Sequence, residues 1–292
     1  STEVPPPPMA DLYIVATPIG NLSDTSGRAV EVLGSVDGIM AEDTRRTRIL
    51  LDHFGIHTRL TSLHAHNEAS RIPKVLERLD AGQDLALVSD AGTPLVSDPG
   101  ERLTRAVVEA GHCVVPVPGP SAILTALVAA AFRTVPFTFH GFVPRKKGHR
   151  RALLEKVAVA ADTSILFESP ERVALLLGDL TELVDVGRQV VVAREMTKIH
   201  EEFFRGTMAE AARYYAERGA RGEVTVVVSP RALEETQKAV DEVTARAVAR
   251  SFLQDGLSPS RTAREVSSRL GIAKNAAYEI VHSLEKDDEE SS

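Results

Sequence analysis

The sequence predicts an α/β protein built as two successive α/β domains with a small helical unit after them. Three observations carry this. Strand-type and helix-type segments alternate five times between Asp11 and Ala131, the signature of a mostly parallel sheet. The strands are short apolar runs closed by turn residues, typified by Leu85 to Val88, as expected where helices cover both faces of a sheet. Beyond Ala131 the pattern shifts to aromatic and β-branched strands with more antiparallel character, and the last stretch is helical alone. The expected boundaries are a proline-rich tail over 1–10, an N-terminal α/β domain over 11–118, a second α/β domain over 119–232, a helix-turn-helix-like unit over 238–286 and an acidic tail over 287–292.

Composition narrows the function classes. The 292 residues carry a net charge of −7, and Glu285 to Glu290 alone hold five acids and one lysine, so the body is nearly balanced. That balance does not mark a dedicated nucleic-acid binder, while leaving room for a local basic patch. Cys113 is the only cysteine, which excludes an intramolecular disulfide or a cysteine zinc cluster and fits a reducing compartment. Its apolar strand neighbours point to a buried structural thiol. With no run of spanning length and no signal-peptide pattern at the start, a cytoplasmic protein without membrane association is expected.

Pro5 to Pro8 make the N-terminal tail extended. Leu12 to Ala16 is the first strand, and Thr17-Pro18-Ile19-Gly20-Asn21-Leu22-Ser23-Asp24 follows it with a proline, a glycine and a capping acid. After a helix over 26–34, the strand Gly38 to Ala41 ends in Glu42-Asp43-Thr44-Arg45. Acids at a strand end followed by arginines can hold a polar substrate, or Asp43 simply caps the next helix. The strand Thr58 to Leu63 runs into His64-Ala65-His66-Asn67-Glu68. Two histidines at i and i+2 share a face, but no third ligand is evident, so hydrogen-bonding contacts or a helix cap are expected rather than a metal. Leu85 to Val88 leads into Ser89-Asp90-Ala91-Gly92-Thr93-Pro94, echoed by Ser97-Asp98-Pro99-Gly100, with Asp98 and Pro99 as cap and first residue of a helix over 99–110. The strand Val114 to Val117 closes in Pro118-Gly119-Pro120-Ser121-Ala122, and the almost wholly apolar helix over 123–131 is expected to be deeply buried.

In the second half, the aromatic strand Phe137 to Phe142 precedes Arg145, Lys146, Lys147, Arg150 and Arg151, the densest basic run in the chain. It is expected to be a mobile loop contacting phosphates. Helices over 152–160 and 169–177 flank a strand at Ser164 to Phe167. The strand Gln189 to Ala193 leads into Arg194-Glu195-Met196-Thr197-Lys198, Phe203 and Phe204 mark a short strand, Thr207 caps a helix, and Val224 to Val228 is the last strand. A linker helix over 233–242 precedes a helix capped by Ser260, a turn at Gly271 and Ile272, and a helix carrying Ala277, Ile280, Val281 and Leu284.

The loops at Thr17, Ser89 and Pro118 each leave a strand with small side chains and free backbone donors, so together they can bind an adenosine-containing cofactor. A G-x-G-x-x-G fingerprint and a Walker A loop are both missing, which removes support for nicotinamide and ATP chemistry. Four segments in this order, Leu12 to Leu22, Ala41 to Arg45, Leu87 to Pro94 and Val117 to Ala122, resemble the ribosomal RNA small-subunit methyltransferase I family within the tetrapyrrole methylase superfamily. That resemblance implies two α/β domains of tetrapyrrole-methylase type with an S-adenosylmethionine cleft between them, and a homodimer. It also implies 2′-O-methylation of the ribose of cytidine 1402 in 16S rRNA, in the decoding region of the small ribosomal subunit. Residue by residue, it places Pro18, Ser89, Asp90, Thr93, Ser121 and Ala122 in the cofactor loops and brings Glu168 and Met196 to the cofactor from the second domain.

In such a reaction the protein must position the reactants, exclude water and handle the hydroxyl proton. Asp43, His66, Glu195 and Lys198 are the candidate catalytic or orienting groups. Arg45, His64 and Asn67 are expected to hold RNA beside the basic run at 145–151, and no metal is expected. Two alternatives stay open. A tetrapyrrole or other small-molecule methylase shares the cofactor loops without needing the basic run; a non-catalytic RNA-binding assembly protein needs the basic run without the loops.

Overall fold

The structure, a computed structural model, describes residues 10–231, 233–270, 272 and 274–289, with the side chains of 233–242, 274 and 285–289 left aside. They form two compact units, one ending at Ser229 and one beginning at Pro230. The proline run of the expected tail lies outside the described residues.

The first unit opens with Asp11–Val15 (β1), Gly27–Ser35 (α1), Gly38–Ala41 (β2), Thr44–His53 (α2), Leu60–Ser62 (β3), Glu68–Asp80 (α3), Leu85–Val88 (β4), Glu101–Glu109 (α4) and Cys113–Val117 (β5). All five strands are parallel, in the order β3-β2-β4-β1-β5. Because successive side chains point to opposite faces, each apolar strand feeds two cores. Leu12, Ile14, Met40, Leu85 and Leu87 pack with Val75, Leu79, Leu103 and Val107 of α3 and α4. Val15, Ile39, Ala41, Ala86 and Val88 pack with Leu33, Leu50 and Leu51 of α1 and α2. Each fully buried leucine contributes about 1.5–3 kcal/mol. Ala10, expected in the tail, is buried in the first of these cores.

Ala122–Ala130 (α5) leads to a second sheet made of Phe137–Phe142 (β6), Thr163–Glu168 (β7), Gln189–Arg194 (β8), Glu202–Thr207 (β9) and Val224–Val228 (β10). Its order is β6-β7-β10-β8-β9, with only β6 and β7 parallel, so the expected antiparallel character is present. Lys147–Val159 (α6), Val173–Thr181 (α7) and Met208–Arg218 (α8) cover one face through Leu154, Leu176, Leu177 and Tyr215. On the other face Ala126, Leu127 and Ala130 of α5 meet Ile165, Val191 and Val227, joined by Ile19 from the loop after β1 and by Met196. Segments leaving the first sheet thus form part of the second sheet's core.

Several expectations are corrected. The helix after the Ser89 loop starts at Glu101, not Pro99, and its N-cap is Gly100 at φ 124° rather than Asp98. A Cβ at Gly100 would come within 2.6 Å of Leu87 Cδ2, so the chain lies directly on the sheet there and Asp98 is released from capping. Cys113 is exposed, because β5 is an edge strand. α5 is not wholly buried: Leu124 and Val128 are exposed. The basic run is not a loop throughout, since α6 begins at Lys147.

The second unit consists of Leu233–Gln254 (α9), Pro259–Leu270 (α10) and Lys274–Glu289 (α11). Ala245, Ala249, Ala263, Val266, Ala277, Val281 and Leu284 form its core. The expected linker helix is thus the start of a longer one. Ser260 lies inside α10, where the Ser258 carbonyl accepts from Arg261 and Thr262 N–H. The helix also continues through Glu289 into the expected acidic tail, while Gly271 and residues 290–292 lie outside the described residues. No helix among the described residues is long and apolar enough to cross a membrane.

Candidate active site

β4, β1 and β5 are neighbours, so the loops at their carboxyl ends leave the sheet side by side, the usual place for a ligand in an open α/β sheet. They are bonded to one another. Thr17 and Gly92 exchange N–H to carbonyl bonds of 2.9 Å each, Thr17 Oγ1 donates to the Ser89 carbonyl at 3.1 Å, and Ser89 Oγ donates to the Gly92 carbonyl at 3.0 Å. Thr93 Oγ1 reaches the Pro120 carbonyl at 3.3 Å, tying the third loop in. Ser121 Oγ caps α5 by accepting from Leu124 N–H. Ser89, Thr93 and Ser121 therefore spend their hydroxyls on shaping the loops.

Between these loops and the end of the second sheet lies a cleft of about 310 Å³, within the range of small-molecule sites. Four of the expected cofactor residues line it: Asp90, Ala122, Glu168 and Met196. Pro18 and Ser89 instead border a smaller hollow of about 130 Å³ that also touches Asp90 and Arg46. Sequence reasoning missed Arg46, Asp98, Val96, Phe142 and Phe167 in the walls, together with the stretch Gly222 to Thr225. The repeat of Ser-Asp at 89–90 and 97–98 was the available signal for Asp98.

The carboxylates divide into tied and untied groups. Asp43 caps α2 and chelates Arg45 through bonds of 3.1 and 3.0 Å, and that guanidinium holds its carboxyl down at about 2. Asp43 N–H donates to Asp90 Oδ1 at 2.9 Å, and Arg46 stands 3.9 Å from Asp90 Oδ2. Glu195 Oε1 accepts from Lys198 Nζ at 2.9 Å and from Glu223 N–H at 2.9 Å, which lowers its pKa, the lysine bond foremost. Lys198 also bonds Glu223 at 3.1 Å. Gly222, at φ 77°, is needed for this arrangement because a Cβ there would run into the Glu195 carboxylate. Asp98 is different: it is half-buried, no donor reaches its carboxylate among the described residues, and burial, then the charges of Glu42 and Asp90, push it up to about 6. Glu42 is raised as well, chiefly by burial.

The groups expected to hold RNA are spread more widely. Arg45, Arg145, Lys146, Lys147 and Arg151 are exposed, with Arg151 paired to Glu155 at 2.7 Å. Arg150 is corrected from an RNA contact to a structural residue: it is buried, its Nε donates to Asp179 at 2.8 Å, and its Nη1 lies 3.5 Å from Glu168. Glu168 is buried too, with Arg172 at 3.4 Å on its other oxygen. Asn67 is held inside its turn, accepting from His64 N–H at 2.9 Å and donating to the Ser62 carbonyl at 3.3 Å. His66 is exposed and its ring lies 6.0 Å from that of half-buried His64.

Comparison with known proteins adds to this geometry. The family model described as Tetrapyrrole (Corrin/Porphyrin) Methylases matches residues 11–212. A protein of Synechocystis sp. named ribosomal RNA small subunit methyltransferase I is 42% identical over 96% of this chain and 100% of its own length. Proteins of the same name from Xylella fastidiosa and Escherichia coli O157:H7 are 44% and 42% identical, each over 91% of this chain and over 97% and 93% of their own lengths. Among solved structures, the uroporphyrin-III-C-methyltransferase of Thermus thermophilus superposes with a TM-score of 0.56 at 18% identity, over 75% of this chain and 94% of that one. A cobalt precorrin-4 methyltransferase gives 0.55 at 16% over the same shares. At those identities the likeness is one of fold.

Proposed function

The chain belongs to the tetrapyrrole methylase family, among the ribosomal RNA small subunit methyltransferases I, and on that premise we propose that it methylates small-subunit ribosomal RNA from S-adenosylmethionine. The acceptor in this proposal is the 2′-hydroxyl of a cytidine ribose in the decoding region, cytidine 1402. The cleft carries the reading: an apolar chamber with carboxylates on its walls, bounded by three interlocked loops at the carboxyl ends of adjacent parallel strands. The residues present fit the cofactor. Val96, Phe142, Phe167 and Met196 offer an apolar bed for a ring, and the carboxylates of Asp90 and Asp98 on the cleft wall suit a cationic ligand.

S-adenosylmethionine, when bound, supplies an electrophilic methyl on a sulfonium leaving group. The chain's task is then to orient the ribose, exclude water and take the hydroxyl proton. Asp98 takes that proton: it faces the cleft without a competing donor, and a carboxylate titrating near 6 is both ionised and basic at neutral pH. Asp43, Glu195 and Lys198, tied into ion pairs, act as positioning residues, and the exposed His66 beyond β3 is a further orienting group. Arg45, His64 and the exposed cations of 145–151 meet RNA phosphates outside the cleft. Leu124 and Val128, exposed at i and i+4 on one face of α5, support pairing of two copies in the cytoplasm.

Labelled methyl transfer tests this, using small ribosomal subunits that lack the modification, naked 16S rRNA and a tetrapyrrole precursor side by side. Label in subunit RNA is expected. Label in the tetrapyrrole alone would overturn the substrate while leaving the fold intact.

A further inference from the structure

A second concavity lies away from the cofactor cleft, where α3 crosses the edge strand β3. It is a groove of about 410 Å³, and of the ten residues around it four are cationic and none is acidic: Arg59, Arg71, Lys74 and Arg78. In a chain of net charge −7 that concentration is unexpected. No ion pair reaches Arg59, Arg71 or Lys74 among the described residues. Arg78 is fixed instead by neutral partners, with its Nε on Gln83 Oε1 at 2.6 Å and its Nη2 on the Asp37 carbonyl at 3.1 Å, so its charge is uncompensated too.

The placement is regular. Positions 71, 74 and 78 share one face of α3, spanning about 10 Å along its axis. Among the described residues β3 pairs only with β2, and Thr61, on the same face as Met40, stands with Arg59 on the α3 side of the strand, where Ser62 completes the groove wall. A cationic row beside a strand at the sheet edge matches a sugar-phosphate backbone followed lengthwise. The groove's charges also act near the cleft. Leu63 of its wall precedes His64 in the chain, and Glu42 is the electrostatic neighbour of both His64 and the cleft residue Asp98.

We propose that this groove binds the phosphodiester backbone of the RNA strand flanking the target nucleotide, with Arg59, Arg71 and Lys74 as its phosphate contacts. The identity of the RNA rests on the proposed function above; the binding of an RNA backbone does not. The site lies on a different element from the basic run at 145–151, part of which serves the fold.

The test uses the full chain and two variants, Arg59→Gln/Lys74→Gln and, as a control away from the groove, Arg105→Gln on α4. Binding of a fluorescein-labelled single-stranded oligocytidine RNA is measured across a salt series, with S-adenosylmethionine affinity and thermal melting as checks on folding. The groove variant is expected to flatten the slope of log affinity against log salt by about 1.4, since each phosphate contact to a single strand contributes about 0.7. On ribosomal subunits its KM rises while kcat holds. An unchanged slope with intact cofactor binding, or equal losses in the control, would overturn the groove while leaving methyl transfer untouched. Wild-type chain that fails to bind the RNA at all would overturn it as well. Binding lost through the groove in a protein that methylates no RNA would uphold the groove and sink the function it was built upon.

Discussion

Asp98 is held in an environment that makes it a better base and the fold less stable. Its carboxyl titrates near 6 when folded, against about 3.9 unfolded, so the folded state holds the proton more tightly. The native state is therefore favoured below the unfolded value, and that contribution is lost as pH rises through about 6. Asp98→Asn should melt higher than wild type at pH 7 yet lose about 10²- to 10⁴-fold in turnover, and the acid limb of the rate profile near pH 6 should vanish. A variant that keeps full turnover would remove Asp98 from the reaction. Arg150 separates two roles in the same way. Replacing it with alanine leaves the buried Glu168 short of one counter-ion, so Arg150→Ala should destabilise by about 3–5 kcal/mol in denaturant melts. A phosphate contact would instead weaken RNA binding with stability unchanged. In sequence, Asp98 had only the repeated Ser-Asp as a signal, and Arg150 had none. Asp98 stands before a proline and a glycine, as helix caps do, and the counter-ions of Arg150 lie 18 and 29 residues away at Glu168 and Asp179.

The turn from β8 through Lys198 and the start of β10 form the rim that the second sheet presents to the cleft. Glu195 and Thr197 adopt φ of 51° and 67°, a left-handed conformation costly for side chains, and the Glu195–Lys198–Glu223 bonds hold them there. Gly222→Ala should expel the Glu195 carboxylate from its place, costing about 1–3 kcal/mol of stability and weakening cofactor binding measured by calorimetry. Unaltered affinity would show the rim to be incidental. At this scale the sequence was informative wherever a pattern is local. Apolar runs located every strand of the parallel sheet, and Thr207 with Glu210 forms the capping box of α8. Strand order is not local, so the edge position of β5, and with it the exposure of Cys113, was hidden.

Across the whole molecule, the hydrogen bonds that join the three cofactor-site loops bridge 72 residues between Thr17 and Ser89 and 27 between Thr93 and Pro120, and they form only because β1 is inserted between β4 and β5. Their small residues and prolines could be read directly, and the resemblance brought Glu168 at the end of β7 to the site; Phe167 and the start of β10 could not be read, since they depend on how α5 joins the two sheets. α5 itself was expected to be buried on all sides, but only one face covers the second sheet. The paired substitution Leu124→Asp/Val128→Asp should therefore convert a dimer to a monomer in light scattering, with melting little changed; a wild-type monomer would contradict the pairing. Transfer to a ribose is decided by nucleoside analysis of the RNA from treated small subunits. The expected labelled product is 2′-O-methylcytidine, at a linkage made resistant to alkali because its neighbouring hydroxyl is blocked. A methyl found on the base, or label confined to a tetrapyrrole, would contradict it.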